Sequence, residues 1–237
     1  MVFFKLMTSN ELVEMSANTC CIVPMYNEEQ VISQVVLGLK SVFKSVLCVD
    51  DGSSDDSAAK ASAAGAIVLR HAVNIGQGAA LSTGFAWVQS QNSYKNIVTF
   101  DADGQHRPED ALRLIQELEQ KQLDIVFASR FLDQDQSHIP LMKRIILKGV
   151  TKLTQVLTDV RLSDAHNGLR ALTVEASKSI QITQNGMAHA TQFVSLALQA
   201  NLRYSEIPVT VLYTPYSRSK GQSILNSVNI VLDLIWG

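Results

Sequence analysis

The stretch VTFDADGQHRPEDALRLIQELEQ, residues 98–120, holds a strand, a helix and the turn that joins them. Val98, Thr99 and Phe100 close a short apolar run of the kind that forms a buried strand. Pro108, followed by Glu109 and Asp110, then opens a helix, because proline suits the first helical turn and carboxylates suit its positive end. Leu112, Ile115 and Leu118 recur at helical spacing and give that helix an apolar face. Between the two elements stand Asp101 and Asp103, one residue apart, with Gly104 and His106 close behind. Alone, the pair is compatible with a turn, a metal clamp, or a nucleophile with its acid.

The same alternation repeats on either side. Apolar runs at 20–24, 46–49, 66–69, 97–100 and 125–128 are separated by helical periodicity at 28–40, 55–64, 78–89 and 108–120. Strands that alternate with helices predict right-handed βαβ units, hence an α/β fold with a mostly parallel, Rossmann-like sheet and helices on both faces. Ser53-Ser54-Asp55 reads as the start of one of those helices. After Arg130 the rhythm changes. A longer helical pattern covers 140–159, glycine-bearing text follows at 164–170, and a helix is expected near 187–200. A strand pair over about 202–213 and an apolar helical pattern over 224–236 complete the chain. The expected organisation is an extension at 1–18, one domain at 19–214, and a basic loop with an amphipathic helix at 215–237.

Composition sets the outer bounds. Of 237 residues, 46% are apolar and 18% charged, enough for a sizeable core. The net charge of −2 gives no whole-protein attraction to nucleic acid, so no nucleic-acid partner is expected. Cys20, Cys21 and Cys48 lie in apolar runs without metal-ligand spacing, as buried thiols of a reduced, cytoplasmic protein would. The first residues are too mixed for the apolar core of a signal peptide, and no run of 18 apolar residues exists to span a membrane.

The polar clusters gather where the apolar runs end: Pro24-Met25-Tyr26-Asn27-Glu28, Asp50-Asp51-Gly52-Ser53, Asn74-Ile75-Gly76-Gln77-Gly78, Asp101-Ala102-Asp103 and Ser129-Arg130. Open parallel sheets bind ligands in the crevice outside the carboxyl ends of their strands, so five such ends imply a ligand crevice. Alternate residues of an extended segment point the same way, which lets Asp101 and Asp103 converge on one hard cation, Mg²⁺ or Mn²⁺, with Gln105 able to add an oxygen.

In order and spacing, IVPMYNEE, VDDGSSDDS, NIGQGAALSTG, FDADGQHRPED, ASRF and DAHNGLRAL closely resemble family 2 glycosyltransferases of the GT-A fold, over about residues 20–222. The nearest subgroup makes polyprenyl-phosphate sugars. The resemblance implies an inverting, metal-dependent enzyme using a UDP-, GDP- or dTDP-sugar and a polyprenyl phosphate, undecaprenyl or dolichyl. Pro24, Tyr26, Asn27 and Glu28 would line the nucleoside end of the donor, with Asp51 on base or ribose and Gly76 in the adjoining loop. Asp101 and Asp103 would hold the metal on the diphosphate, with Gln105 beside them and Arg130 near the phosphates. Asp164, with 166–170 and so Arg170, would face the acceptor. Arg218-Ser219-Lys220-Gly221 would form a basic loop that closes on a phosphate, and Arg144 is a further phosphate contact. His106 is expected to position its loop, and His189 to pack or to lie on the acceptor side.

Three departures from related sequences stand out: Gln77 in place of a frequent lysine, Asn167 and Leu169 in place of serine and phenylalanine, and Gln192 in place of glutamate. The last favours an acceptor that needs little deprotonation, with Asp164 the remaining carboxylate for such work. A basic stripe at Lys143, Arg144, Lys148 and Lys152, and the apolar face of the final helix, suit contact with the inner face of a membrane. The final helix suits equally well packing on the sheet or in a homo-oligomer. Some relatives work with a separate small membrane protein, an arrangement that fits this chain. The competing readings are a glycosyltransferase extending a saccharide through a hydroxyl, with Asp164 as base; a haloacid-dehalogenase-like phosphatase opening on FDADG; and a binding module without activity.

Overall fold

The computed structural model describes residues 8–132, 162–186, 188–212 and 216. Arg144, Arg218, Lys220, the helical patterns at 140–159 and 224–236, and the basic loop all lie outside the described residues.

Seven strands form one sheet: β1 (Thr19–Met25), β2 (Ser45–Asp50), β3 (Ile67–Arg70), β4 (Asn96–Thr99), β5 (Ile125–Ser129), β6 (Arg170–Thr173) and β7 (Tyr204–Pro208). Their spatial order is β3-β2-β1-β4-β6-β5-β7. The first four pair in parallel, β6 runs antiparallel to both β4 and β5, and β5 pairs in parallel with β7. The α/β, mostly parallel expectation is met, and the antiparallel β6 is an addition to it. That strand has four residues, RALT, and begins where the glycine-bearing text at 164–170 ends. The expected strand pair near the end is a single strand, β7, among the described residues.

The helices are α1 (Ser9–Ala17), α2 (Ile32–Lys40), α3 (Ser57–Ala63), α4 (Gln77–Ser90), α5 (Pro108–Gln120), α6 (Val174–Lys178) and α7 (His189–Gln199). The alternation of side chains along β1 shows why both faces are covered. Cys21 and Val23 enter a core with Ile32, Val36 and Leu39 of α2 and Leu114 and Ile115 of α5. Cys20 and Ile22 enter a second core with Leu81, Phe85 and Val88 of α4 and Phe193 and Val194 of α7. Burial pushes the Cys20 and Cys48 thiols up to about 12, so they behave as small apolar side chains.

Helix α1 lies in the segment ahead of Thr19 that had been set apart as an extension. Thr8 caps it by accepting from the Glu11 amide while Glu11 reaches back to the Thr8 amide, and Met15 is buried in the first core. Pro108 occupies the first turn of α5, as the sequence predicts. Helix α3 begins at Ser57, just after Ser53-Ser54-Asp55, and the Ser57 amide donates to Asp55 Oδ1 at 3.0 Å, while Ser53 Oγ and Asp55 Oδ2 accept from the Asn27 and Glu29 amides of a neighbouring loop.

Candidate active site

The loops after β1 and β2 form one unit. Asn27 takes the left-handed conformation, φ 52°, and its Oδ1 accepts from the Ser54 amide at 2.9 Å. In return Ser53 Oγ accepts from the Asn27 amide at 2.9 Å, and Ser57 Oγ from the Glu28 amide at 2.7 Å. Tyr26 is left 45% exposed at the mouth of the crevice, whereas Pro24 is buried within β1. The serines of VDDGSSDDS thus hold the shape of PMYNEE.

Asp51 faces inward, only 3% exposed. Its Oδ1 meets His71 Nδ1 at 2.7 Å and accepts from the Ile75 amide at 3.0 Å, while Oδ2 accepts from the Gly76 amide at 2.7 Å. Its carboxylate organises the loop between β3 and α4, a use that its sequence position did not reveal. Gly76 has φ 118°, and a β-carbon there would lie 2.1 Å from the Asn185 carbonyl oxygen. The Gly78 amide donates to that oxygen at 3.0 Å. The glycines therefore let the 184–185 backbone sit on the start of α4. Gln192 holds that backbone in place, its Oε1 accepting from the Thr183 and Gln184 amides at 2.9 Å each.

Beyond β4, Asp101 and Asp103 stand together with partly exposed side chains. Asp101 Oδ2 pairs with His106 Nε2 at 3.1 Å, and Gln77 Nε2 donates to Oδ1 at 3.4 Å. The Gln105 amide donates to Asp103 Oδ1 at 3.0 Å. Burial raises the Asp101 carboxyl, but the His106 hydrogen bond and the charges of Arg170 and Arg130 outweigh it and hold the group below its usual range. Burial and the charge of Asp101 push Asp103 up to about 6, against the Gln105 hydrogen bond. His106 packs edge-on against Phe100, ring centroids 5.7 Å apart, and serves as the expected loop support.

Gly168 brings the 162–170 loop against this pair. A β-carbon at 168 would lie 2.2 Å from Asp101 Oδ1, and Thr99 Oγ1 donates to the Gly168 carbonyl at 2.6 Å. On the same loop Asp164, 2% exposed, accepts through Oδ2 from the Arg130 amide at 3.1 Å and from Arg130 Nε at 2.6 Å. Arg170 is 1% exposed, its guanidinium 4.3 Å from the centre of the Phe193 ring. Its guanidinium is enclosed near Asp101 and Asp164, and burial brings it down to about 10, still charged at neutral pH. His189 is buried with Nδ1 2.8 Å from the Gly186 carbonyl oxygen, in the packing role.

The predicted residues Tyr26, Asn27, Glu28, Asp101, Asp103, Gln105, Arg130 and Asp164 thus sit in the loops after β1, β4 and β5 and in the 162–164 turn. Sequence reasoning missed His71, Ser163 and Glu206, which hold these loops from outside the motifs. A model described as "Glycosyl transferase family 2" matches residues 20–180.

The chain belongs to glycosyl transferase family 2.

Among its relatives, this glycosyltransferase is 28% identical to UDP-N-acetylglucosamine–dolichyl-phosphate N-acetylglucosaminyltransferase of Methanococcus voltae, covering 90% of this chain and 93% of that protein. It is 26% identical to polyprenol monophosphomannose synthase of Mycolicibacterium smegmatis, over 92% of this chain and 84% of that protein. In fold it resembles glucosyl-3-phosphoglycerate synthase of Mycobacterium tuberculosis, solved with Mn²⁺ and UDP-glucose, with a TM-score of 0.70 at 16% identity over 98% of this chain and 82% of that one. Its fold is that of the GT-A glycosyltransferases. The phosphatase reading of FDADG falls with this assignment. Among the described residues no helix is long and apolar enough to cross a membrane.

Proposed function

We propose that the enzyme transfers a sugar, with inversion, from a nucleotide-sugar donor to a polyprenyl phosphate at the inner face of the membrane. The observation that carries this reading is the contact through Gly168 that sets the Asp101–Asp103 pair beside the Arg130–Asp164 pair. Breaking a sugar–phosphate bond leaves a diphosphate, and an anionic acceptor brings a second phosphate to the same place. Such a reaction needs positive charge and alignment more than a strong base. Asp164 supports that acceptor class, because its Oδ2 is committed to Arg130. The relatives named above act, by their names, on dolichyl phosphate and polyprenol.

The residues fit a divalent cation. Asp101 and Asp103 are two hard oxygen donors; burial and then repulsion by Asp101 raise Asp103, and a cation relieves that repulsion. Among the described residues no cluster of three or more such ligands exists, so the diphosphate and water would complete the shell. Mg²⁺ or Mn²⁺ held there would neutralise charge developing on the leaving diphosphate. Tyr26, Asn27 and Glu28 would bind the nucleoside end, and Arg130, with Arg144, Arg218 and Lys220 from the sequence, would hold the phosphates together. The basic stripe at 143–152 supports peripheral membrane contact, alone, through a homo-oligomer or with a separate small membrane protein.

Purified enzyme with Mn²⁺, undecaprenyl or dolichyl phosphate and labelled UDP-, GDP- and dTDP-sugars tests the reading. The expected result is one labelled lipid-phosphate sugar. Transfer to saccharide hydroxyls alone would overturn it.

A further inference from the structure

We propose that Glu206 is a positioning residue for transfer, holding the Arg130–Asp164 pair in register with the Asp101–Asp103 pair. The inference rests on the reading above of Asp164 as facing the acceptor and of Arg130 as a phosphate contact.

Glu206 lies in β7, paired in register with Phe127 of β5, and is outside every motif of the family resemblance. Its two oxygens accept from the Ser163 amide at 2.9 and 3.0 Å, and Oε1 also accepts from Ser163 Oγ at 2.8 Å and from the Asp164 amide at 3.4 Å. Ser163 Oγ lies 2.6 Å from Ser129 Oγ, and Ser129 Oγ accepts from the Phe131 amide at 3.2 Å. The residue between Ser129 and Phe131 is Arg130, whose amide and Nε both reach Asp164. Glu206 therefore grips Asp164 of this ion pair and its neighbour Ser163, and through Ser163 and Ser129 it reaches the strand end that carries Arg130.

Placing a carboxylate in a largely enclosed position is costly unless its oxygens are satisfied, and hydrogen bonds to a charged acceptor are the strong ones. What the carboxylate adds is a fixed direction for consecutive amides in a turn that has no ladder of its own. Nothing on β1 or β2, where the nucleoside end of the donor is assigned, touches Glu206 through a hydrogen bond.

The test separates the two sides of the site. In Glu206→Ala, kcat/KM for the acceptor should fall about 100-fold, the scale of a displaced catalytic group. Mn²⁺-dependent binding of the nucleoside diphosphate should stay within about twofold of wild type, since the donor loops are built elsewhere. Glu206→Gln, which keeps one acceptor oxygen, should recover part of the loss. In an Arg130→Ala background, Glu206→Ala should cost little more, because its effect is delivered through Arg130. Proportional loss of nucleotide binding and transfer, or full additivity with Arg130→Ala, would overturn the proposal. Amide hydrogen exchange reads the clamp without an acceptor: protection at the Ser163 and Asp164 amides should drop in Glu206→Ala while that of β4 holds. Unchanged protection there would also overturn it. If the acceptor panel selects a hydroxyl instead of a lipid phosphate, the same ratios are read on that acceptor, so the two readings fail separately.

Discussion

The sheet has two halves, and they build their parts of the site differently. In the parallel half, β3-β2-β1-β4, each strand ends in a polar loop and the loops bind one another through serine hydroxyls, Asn27 and Asp51. In the half containing β6, β5 and β7, the site is held by enclosed charge: Asp164 on Arg130, Glu206 on the 163–164 amides, and Arg170 beneath Phe193. The parallel half presents a crevice shaped by backbone, as suits a nucleoside diphosphate with many donors and acceptors. The other half fixes a few charges firmly, as suits an anion that must arrive in line. Gly168 is where they meet.

That junction is the place to break the comparison with the largest effect. Gly168→Ala puts a β-carbon 2.2 Å from Asp101 Oδ1, so the two halves must separate or Asp101 must turn away. Transfer should fall by more than about 100-fold, with a stability loss of about 1–3 kcal/mol from overpacking, read by steady-state kinetics and chemical denaturation. Wild-type kinetics in this variant would show that the halves act independently.

A change of pH sharpens the comparison on the parallel side alone. Asp103 titrates near 6, raised from an ordinary 3.8 by burial and Asp101, and it must be ionised to hold a cation. Mn²⁺-dependent nucleotide binding should therefore be full above pH 6 and weaken as the pH falls through it. A folded-state pKa above the unfolded one means that proton binding favours the fold: this contribution is complete below 3.8 and is lost as the pH rises through about 6. Removing the charge with Asp103→Asn should accordingly raise Tm at neutral pH in the absence of metal, by about 2 °C. Calorimetry and thermal melts across this range check both signs.

The smallest effect is expected at Gln192. Its alanine variant releases the Thr183 and Gln184 amides from their side-chain acceptor, costing about 1–2 kcal/mol of stability. Nucleotide affinity should change little, because the 184–185 backbone stays seated on the start of α4 through the Gly78 amide. A large loss of affinity would move this loop from scaffold to site.

The same division explains how much could be read in the sequence. The parallel half was legible, because an apolar run, its polar end and the following helix are contiguous in the chain. Pro108 marks the start of α5, and Asp101 and Asp103 mark a strand end, without knowledge of any distant residue. Ser53, Ser54 and Asp55 mark a helix start, and Asp55 does accept from the Ser57 amide, but the contacts of Ser53 and Ser54 with Asn27 reach another loop, which no local pattern shows. In the other half the deciding contacts join residues far apart in sequence, Ser129 to Ser163 and Ser163 to Glu206, and no local pattern announces them. The strand β6 is too short to show a period. The enclosure of Arg170 against Phe193 is equally hidden, because text shows charge and not burial. Helix α1 escaped because its apolar face, centred on Met15, is narrow.

The proposed grip of Asp101 and Asp103 on a metal–diphosphate is what the chemistry of the site depends on. Its most direct test is calorimetric titration of UDP, GDP and dTDP into wild-type enzyme and Asp103→Asn, each with and without Mn²⁺. The expected result is that one nucleotide binds the wild type only with Mn²⁺, and that the folded Asp103→Asn enzyme shows no Mn²⁺-dependent binding. Mn²⁺-dependent affinity in Asp103→Asn within about threefold of wild type, a difference of well under 1 kcal/mol, would contradict it.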